Sequence, residues 1–114
     1  MTRDGQRTPV LVIDIGGTKI AAAVVSWGGV VLSRARGFTP DSADEVELVD
    51  AAEAVARQAL AQTDVLLAST EAVGVSCAGI IDTKNGVVVY SPNVPSLRHT
   101  SLRGLLSQRF GMPV

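Results

Sequence analysis

The 114-residue chain is 46% hydrophobic and 18% charged, the composition of a small globular unit with a modest core and not of a disordered segment. Its 10 basic and 11 acidic side chains nearly cancel, which removes any electrostatic case for nucleic acid or an anionic membrane as a partner. A single cysteine, Cys77, excludes an internal disulfide and a C-x-x-C pair; with no apolar leader in residues 1–9 and no run of roughly 18 apolar residues, the sequence reads as soluble and cytoplasmic.

Residues 1–9 read as a tail, and the first element is Val10 to Ile15, an almost unbroken run of β-branched residues and leucine that suits a strand buried on both faces. Gly16-Gly17 end it, and a second apolar run, Lys19 to Ser26, follows. Glycine pairs between short strands mark hairpins, so the two strands are expected to be antiparallel. Trp27-Gly28-Gly29 then separates the second run from a third strand, Val30 to Arg36, whose polar Ser33 and Arg34 suggest a sheet edge. Trp27 has the shape of a stacking platform, but beside a glycine turn its ring more simply covers the hairpin end.

Thr39 to Asp44 is a polar turn, and Ser42-Ala43-Asp44-Glu45 matches the S-x-x-E capping box that opens helices. Leu48, Ala52, Val55 and Ala59 give the following helix one apolar face, and Glu47, Asp50, Glu53 and Arg57 are left for water. Acids early in a helix are favoured by its dipole, so the charge run needs no partner surface to explain it. Ala72 to Ser76 is a further buried strand that runs through Cys77-Ala78-Gly79 into Ile80-Ile81-Asp82. Gly79 either lets a ligand approach the backbone or releases the strand into a loop; the sequence leaves both open.

Asn85-Gly86 before Val87-Val88-Val89-Tyr90 predicts a type I′ hairpin with no chemistry in it. Ser91-Pro92-Asn93-Val94-Pro95 cannot be regular structure, and an asparagine held between two prolines is either a turn residue or an amide placed to read hydroxyls. Leu102, Leu105, Leu106 and Phe110 fall at helical spacing over Ser101 to Phe110, and Gly111 with Pro113 stops that helix. His99, the only histidine, stands among polar neighbours and is weak evidence for catalysis or metal binding. Val114 reads as the first residue of another strand, so the 114 residues are expected to be the front part of a longer fold. The fold class is α/β: a mixed sheet that opens with an antiparallel three-strand meander and is packed by helices.

The chemistry concentrates at Asp14-Ile15-Gly16-Gly17-Thr18-Lys19. A P-loop needs G-x-x-x-x-G-K-[ST] and a dinucleotide fingerprint needs G-x-G-x-x-G, each opening a helix. Neither spacing occurs in the chain. A hairpin turn can still handle phosphate: the amides of Gly17 and Thr18 and the Thr18 hydroxyl face the oxygens, Lys19 adds positive charge, and Asp14 holds magnesium directly or through water. An ordinary hairpin with a solvated aspartate is the bland alternative, and the full D-I-G-G-T-K-I after an apolar strand outweighs it.

These residues resemble the opening D-x-G-G-T-K of the ROK family of sugar kinases and related repressors, within the actin-like ATPase superfamily. The resemblance continues through Gly74-Val75-Ser76-Cys77-Ala78-Gly79-Ile80-Ile81-Asp82 and Ser91-Pro92-Asn93-Val94-Pro95, and it covers residues 10–114. It implies the N-terminal lobe of a ribonuclease H-like sugar kinase, with Asp14, Gly16, Gly17, Thr18 and Lys19 on ATP and its magnesium. Gly79 and Asn93 would lie on the side of the hexose. The catalytic aspartate of such kinases sits in an N-D motif expected beyond Val114, and Asp14 and Asp82 are poor substitutes for it.

By the same resemblance the parent phosphorylates a hexose, glucose first, with N-acetylmannosamine, N-acetylglucosamine, fructose or allose close behind. It would be a cytoplasmic homo-oligomer of carbohydrate metabolism, possessing in some members a structural zinc whose ligands are absent from this chain. The fragment alone is expected to be inactive. Two alternatives from other classes are a sugar-responsive transcriptional repressor and a truncated noncatalytic module. The nine residues before the first strand are too few for a helix-turn-helix domain.

Overall fold

Strand periodicity decides which side of the sheet is dry. In the computed structural model, which describes residues 8–41 and 44–114, Leu11, Ile13 and Ile15 of β1 (Val10–Ile15) turn to one side and are essentially solvent-free. Ile20, Ala22 and Val24 of β2 (Lys19–Val25) turn to the same side. β1 and β2 are antiparallel, pairing Ile15 with Ile20, and β3 (Val31–Phe38) continues the meander against β2. β4 (Val73–Cys77) lies parallel to β1, so the sheet order is β3-β2-β1-β4. The meander and the mixed sheet are as the sequence predicts, with β3 extending two residues further than expected, to Phe38.

The dry side is filled by α1 (Glu45–Ala61), whose Leu48, Val49, Ala52, Val55, Ala56, Ala59 and Leu60 are buried. Removing each large aliphatic side chain from water contributes roughly 1.5–3 kcal/mol. Small residues bring the helix close: a Cβ on Gly37 of β3 would meet Val55 Cγ2 at 2.8 Å. The buried Ser33 hydroxyl donates to the Ala59 carbonyl at 2.6 Å, which joins strand and helix without leaving a polar group unpaired. Asp44 caps the helix, its carboxylate accepting from the Val46 amide at 2.9 Å. The Ser42 end of the expected capping box lies outside the described residues.

β1 is not buried on both faces, contrary to what its almost unbroken apolar sequence suggests. Its Val12 and Asp14 share the side of the sheet away from α1 with Ala21 and Ala23 of β2, Arg34 and Arg36 of β3, and Gly74 and Ser76 of β4. No described element covers that side, and the concavity over it measures about 660 Å³. Small side chains at its centre make the face shallow.

A second sheet, β5 (Ile80–Asp82), β6 (Val87–Tyr90) and β7 (Arg98–Thr100), is wholly antiparallel and carries α2 (Leu102–Phe110). Leu102, Leu106 and Phe110 of α2 enter the common core, and Gly111 ends the helix at φ 66°. Asn85-Gly86 does not form a type I′ turn, because that turn needs positive φ at both residues and only Gly86 has it. The loop is instead the four residues 83–86, closed by Gly86 N donating to Asp82 O at 2.8 Å. Arg103 of α2 fixes it by donating to the carbonyls of Thr83 (2.7 Å) and Lys84 (3.0 Å).

The polar face of α1 is also not simply left to water. Arg109 of α2 donates to Asp50 at 2.5 Å and Glu53 at 3.0 Å, and Arg57 pairs with Glu53 at 2.8 Å. Burial pushes the Glu53 carboxyl up, but the hydrogen bonds and charges of Arg57 and Arg109 outweigh that and hold it below its ordinary range. At the other end of the core, the Pro113 carbonyl accepts from Val73 N at 2.9 Å, bringing the last residues alongside β4. Among the described residues no helix is long and apolar enough to cross a membrane.

Candidate functional site

The turn between β1 and β2 is a tight hairpin whose base is closed by Gly16 N donating to Lys19 O at 2.9 Å. Neither glycine has positive φ, so left-handed backbone is not what demands them. Crowding is. A Cβ on Gly17 would stand 2.6 Å from the Asn93 carbonyl oxygen and 2.8 Å from Asn93 Cβ, and one on Gly16 would stand 3.0 Å from Lys19 O. The glycine pair lets a second segment of the chain rest directly on the turn.

At the exposed tip, the amides of Gly17 and Thr18 donate to no protein acceptor among the described residues. Asp14 and Lys19 are exposed and form no ion pair there. Alternation along β1 and β2 puts both side chains on the open side of the sheet, where Asp14 lies opposite Ala21 and beside Ser76. Donors, a cation and an unpaired carboxylate thus surround one turn. No group of three or more His, Cys, Asp or Glu side chains able to hold a metal occurs among the described residues. A magnesium ion at Asp14 would therefore take its remaining oxygens from water and a ligand's phosphates, the usual habit of this cation.

The segment resting on Gly17 consists of two consecutive turns. Val94 N donates to Ser91 O at 3.2 Å and Leu97 N to Val94 O at 2.9 Å, with Pro92 and Pro95 each at the second position of a turn, where their fixed φ is favoured. Ser91, Val94 and Leu97 are buried and anchor the segment, which leaves Asn93 exposed at the corner. Its backbone meets Gly17, and its side-chain amide makes no hydrogen bond among the described residues.

Gly79 belongs to the same cluster. It has φ +135°, and a Cβ on it would collide with the Tyr90 carbonyl oxygen. What comes close to the Gly79 backbone is thus the chain's own Tyr90 and Ser91, and the Ser91 hydroxyl seals the contact by donating to Ala78 O at 2.7 Å. The three sequence motifs therefore interlock, with Gly17 on Asn93 and Gly79 on Ser91. Ser91 is the member whose part as a strut the sequence did not reveal; its place beside Pro92 was the available signal.

Two titrating groups report on their surroundings. Burial pushes the Cys77 thiol up; the Ser91 hydroxyl works against that shift and the Asp14 charge reinforces it, so Cys77 stays protonated at neutral pH. Asp82 is held below the usual carboxylate range by hydrogen bonds from the Asn85 side chain (2.8 Å) and backbone amide (3.2 Å). Standing at the end of β5, it braces its own loop. His99 is exposed in β7 at φ 50°.

A family model described as the ROK family matches residues 10–114. The chain is 33% identical over 102 residues to a glucokinase of Streptomyces coelicolor, covering 90% of this chain and 30% of the relative. It superposes with a TM-score of 0.80 on a ROK family glucokinase of Streptomyces griseus crystallised with glucose and AMPPNP, at 39% identity over 93% of this chain and 31% of that one. At 19% identity and a TM-score of 0.75 it also shares its fold with a ROK family transcriptional regulator homologous to the E. coli MLC protein, covering 93% of this chain and 26% of the regulator. The chain thus spans about 30% of the length of the curated glucokinases it matches. Its mixed sheet and two helices match the N-terminal lobe of these actin-like proteins.

Proposed function

The chain belongs to the ROK family, and from that premise we propose that the polypeptide carrying it transfers the γ-phosphoryl group of ATP to a hexose, with glucose the first candidate. The observation that supports this most is the contact between Gly17 and Asn93, which sets an anion-ready turn against an exposed amide suited to hydroxyls. Phosphate and sugar would then meet on two segments that cannot move independently. Proximity of this kind is what phosphoryl transfer chiefly requires of a protein.

In this reading the Gly17 and Thr18 amides and the Thr18 hydroxyl bind phosphate oxygens, and Lys19 offsets their charge. Asp14 holds magnesium directly or through one water; the ion when bound neutralises charge on the phosphates. Asn93 orients a sugar hydroxyl through its free amide, while Gly79 keeps the loop beneath Asn93 in place. The base that takes the hydroxyl proton, and the ligands of any structural zinc, would come from residues outside this chain, and the full-length polypeptide would be a homo-oligomer.

A coupled assay of ATP consumption on the full-length polypeptide tests the reading. Glucose-dependent turnover is expected, and none from residues 1–114 alone. Turnover with N-acetylmannosamine or another hexose and not with glucose would keep the reaction and change the substrate. Sugar binding without ATP turnover would favour a sensor of the repressor kind and overturn the kinase reading.

A further inference from the structure

The Gly16–Lys19 turn is held from behind by a residue outside it. Thr39, directly after β3, donates its hydroxyl to the Gly16 carbonyl at 2.7 Å and its backbone N–H to the Thr18 carbonyl at 2.8 Å. With Lys19 O accepting from Gly16 N, two of the three carbonyls within residues 16–18 and the one that closes the turn are bound to protein donors. This matters for an anion site, because a carbonyl oxygen turned toward a phosphate repels it where an amide attracts it.

The geometry of the peptide unit makes the hydroxyl contact directional. The Gly16 carbonyl and the Gly17 N–H belong to one planar trans peptide, so they point in opposite directions. Holding the Gly16 oxygen toward Thr39 holds the Gly17 N–H away from it, at the exposed tip where it has no protein acceptor among the described residues. Glycine on both sides of that peptide leaves the plane unusually free to rotate, and no side chain within the turn restrains it. The hydrogen bond that fixes the direction of its carbonyl comes from Thr39.

We propose that Thr39 is a positioning residue for phosphate binding: its hydroxyl locks the Gly16–Gly17 peptide in the orientation that presents the Gly17 amide to the anion. The inference rests on the phosphate role given to the turn in the proposed function. It does not depend on which sugar is phosphorylated, or on whether one is.

The test compares T39V, which keeps the shape and loses the hydroxyl, with T39S, which keeps the hydroxyl, in the full-length polypeptide. Binding of magnesium-AMPPNP should weaken roughly five- to tenfold in T39V, the size expected for one orienting hydrogen bond, and return to within about twofold of wild type in T39S. In the kinase assay the same split should appear as a raised KM for ATP, with KM for the sugar changed by less than about twofold. Should T39V not fold, T39A takes its place in the comparison with T39S. Equal AMPPNP affinity in the hydroxyl-less variant and wild type, or an equal rise in KM for ATP and sugar, would overturn the proposal. If wild type binds AMPPNP but phosphorylates no sugar, the kinase reading fails while the difference in binding between T39V and T39S still decides the role of Thr39.

Discussion

Asp14→Asn is expected to lower ATP-dependent turnover of the full-length polypeptide by roughly a hundredfold or more, because a metal held by a carboxylate supplies several kcal/mol of charge stabilisation. Folding should hardly notice the change. Asp14 is exposed and has no protein partner among the described residues, so the substitution removes no contact that stabilises the sheet, and such surface changes usually stay within about 0.5 kcal/mol. Sugar affinity should also persist, since the exposed amide of Asn93 is presented by a separate segment. Thermal unfolding, sugar binding and ATP turnover measured on one preparation separate the three quantities. Loss of sugar affinity with normal ATP use would mean that Asp14 faces the sugar and not the metal.

Gly17→Ala is the opposite kind of change, small in chemistry and large in consequence. The added methyl would have to sit 2.6 Å from the Asn93 carbonyl oxygen, closer than real Cβ contacts are found. Neither side can yield cheaply: the turn is pinned by Thr39 and by its own closing hydrogen bond, and the Asn93 segment is anchored by buried Ser91, Val94 and Leu97. Forcing such an overlap costs about 1–3 kcal/mol of stability. Because relief must part the turn from the Asn93 segment, the affinities for nucleotide and sugar should fall together, each by roughly tenfold or more. Titrations of AMPPNP and glucose against the variant check this; a selective loss of one ligand would show that the two segments work independently.

Much of the framework was legible because it is written in local pattern. Apolar runs separated by Gly16-Gly17 and by Trp27-Gly28-Gly29 give the meander, and the steps of four, three and four residues in Leu48, Ala52, Val55 and Ala59 give the buried face of α1. The D-I-G-G-T-K motif, to which phosphate binding is proposed here, was legible for the same reason, being contiguous. What stayed hidden depends on segments far apart in the chain. The reason for Gly17 is Asn93, the reason for Gly79 is Tyr90, and no periodicity reports either contact.

One local reading also went astray on physical grounds, and others stopped short. Asn-Gly is a strong type I′ signal, yet Arg103 binds the carbonyls of Thr83 and Lys84 and Asp82 gathers the Asn85 amides, which together favour a four-residue loop. The acids of α1 do lie on its solvent side, with Glu53 half-buried, but the pairing of Asp50 and Glu53 with Arg109 stayed hidden because Arg109 lies on another helix. Thr39 read only as part of a polar turn, since a hydroxyl's acceptor cannot be told from its sequence neighbours.

The Gly16–Lys19 turn is proposed to bind the phosphates of ATP. The most direct test is an amide-resolved titration of the full-length polypeptide with magnesium-AMPPNP. The largest changes should fall on the amides of Gly17, Thr18 and Lys19, with a smaller response at Asn93 through its contact with Gly17. Changes centred on Arg34 and Arg36 of the open sheet face, with residues 16–19 unmoved, would contradict it.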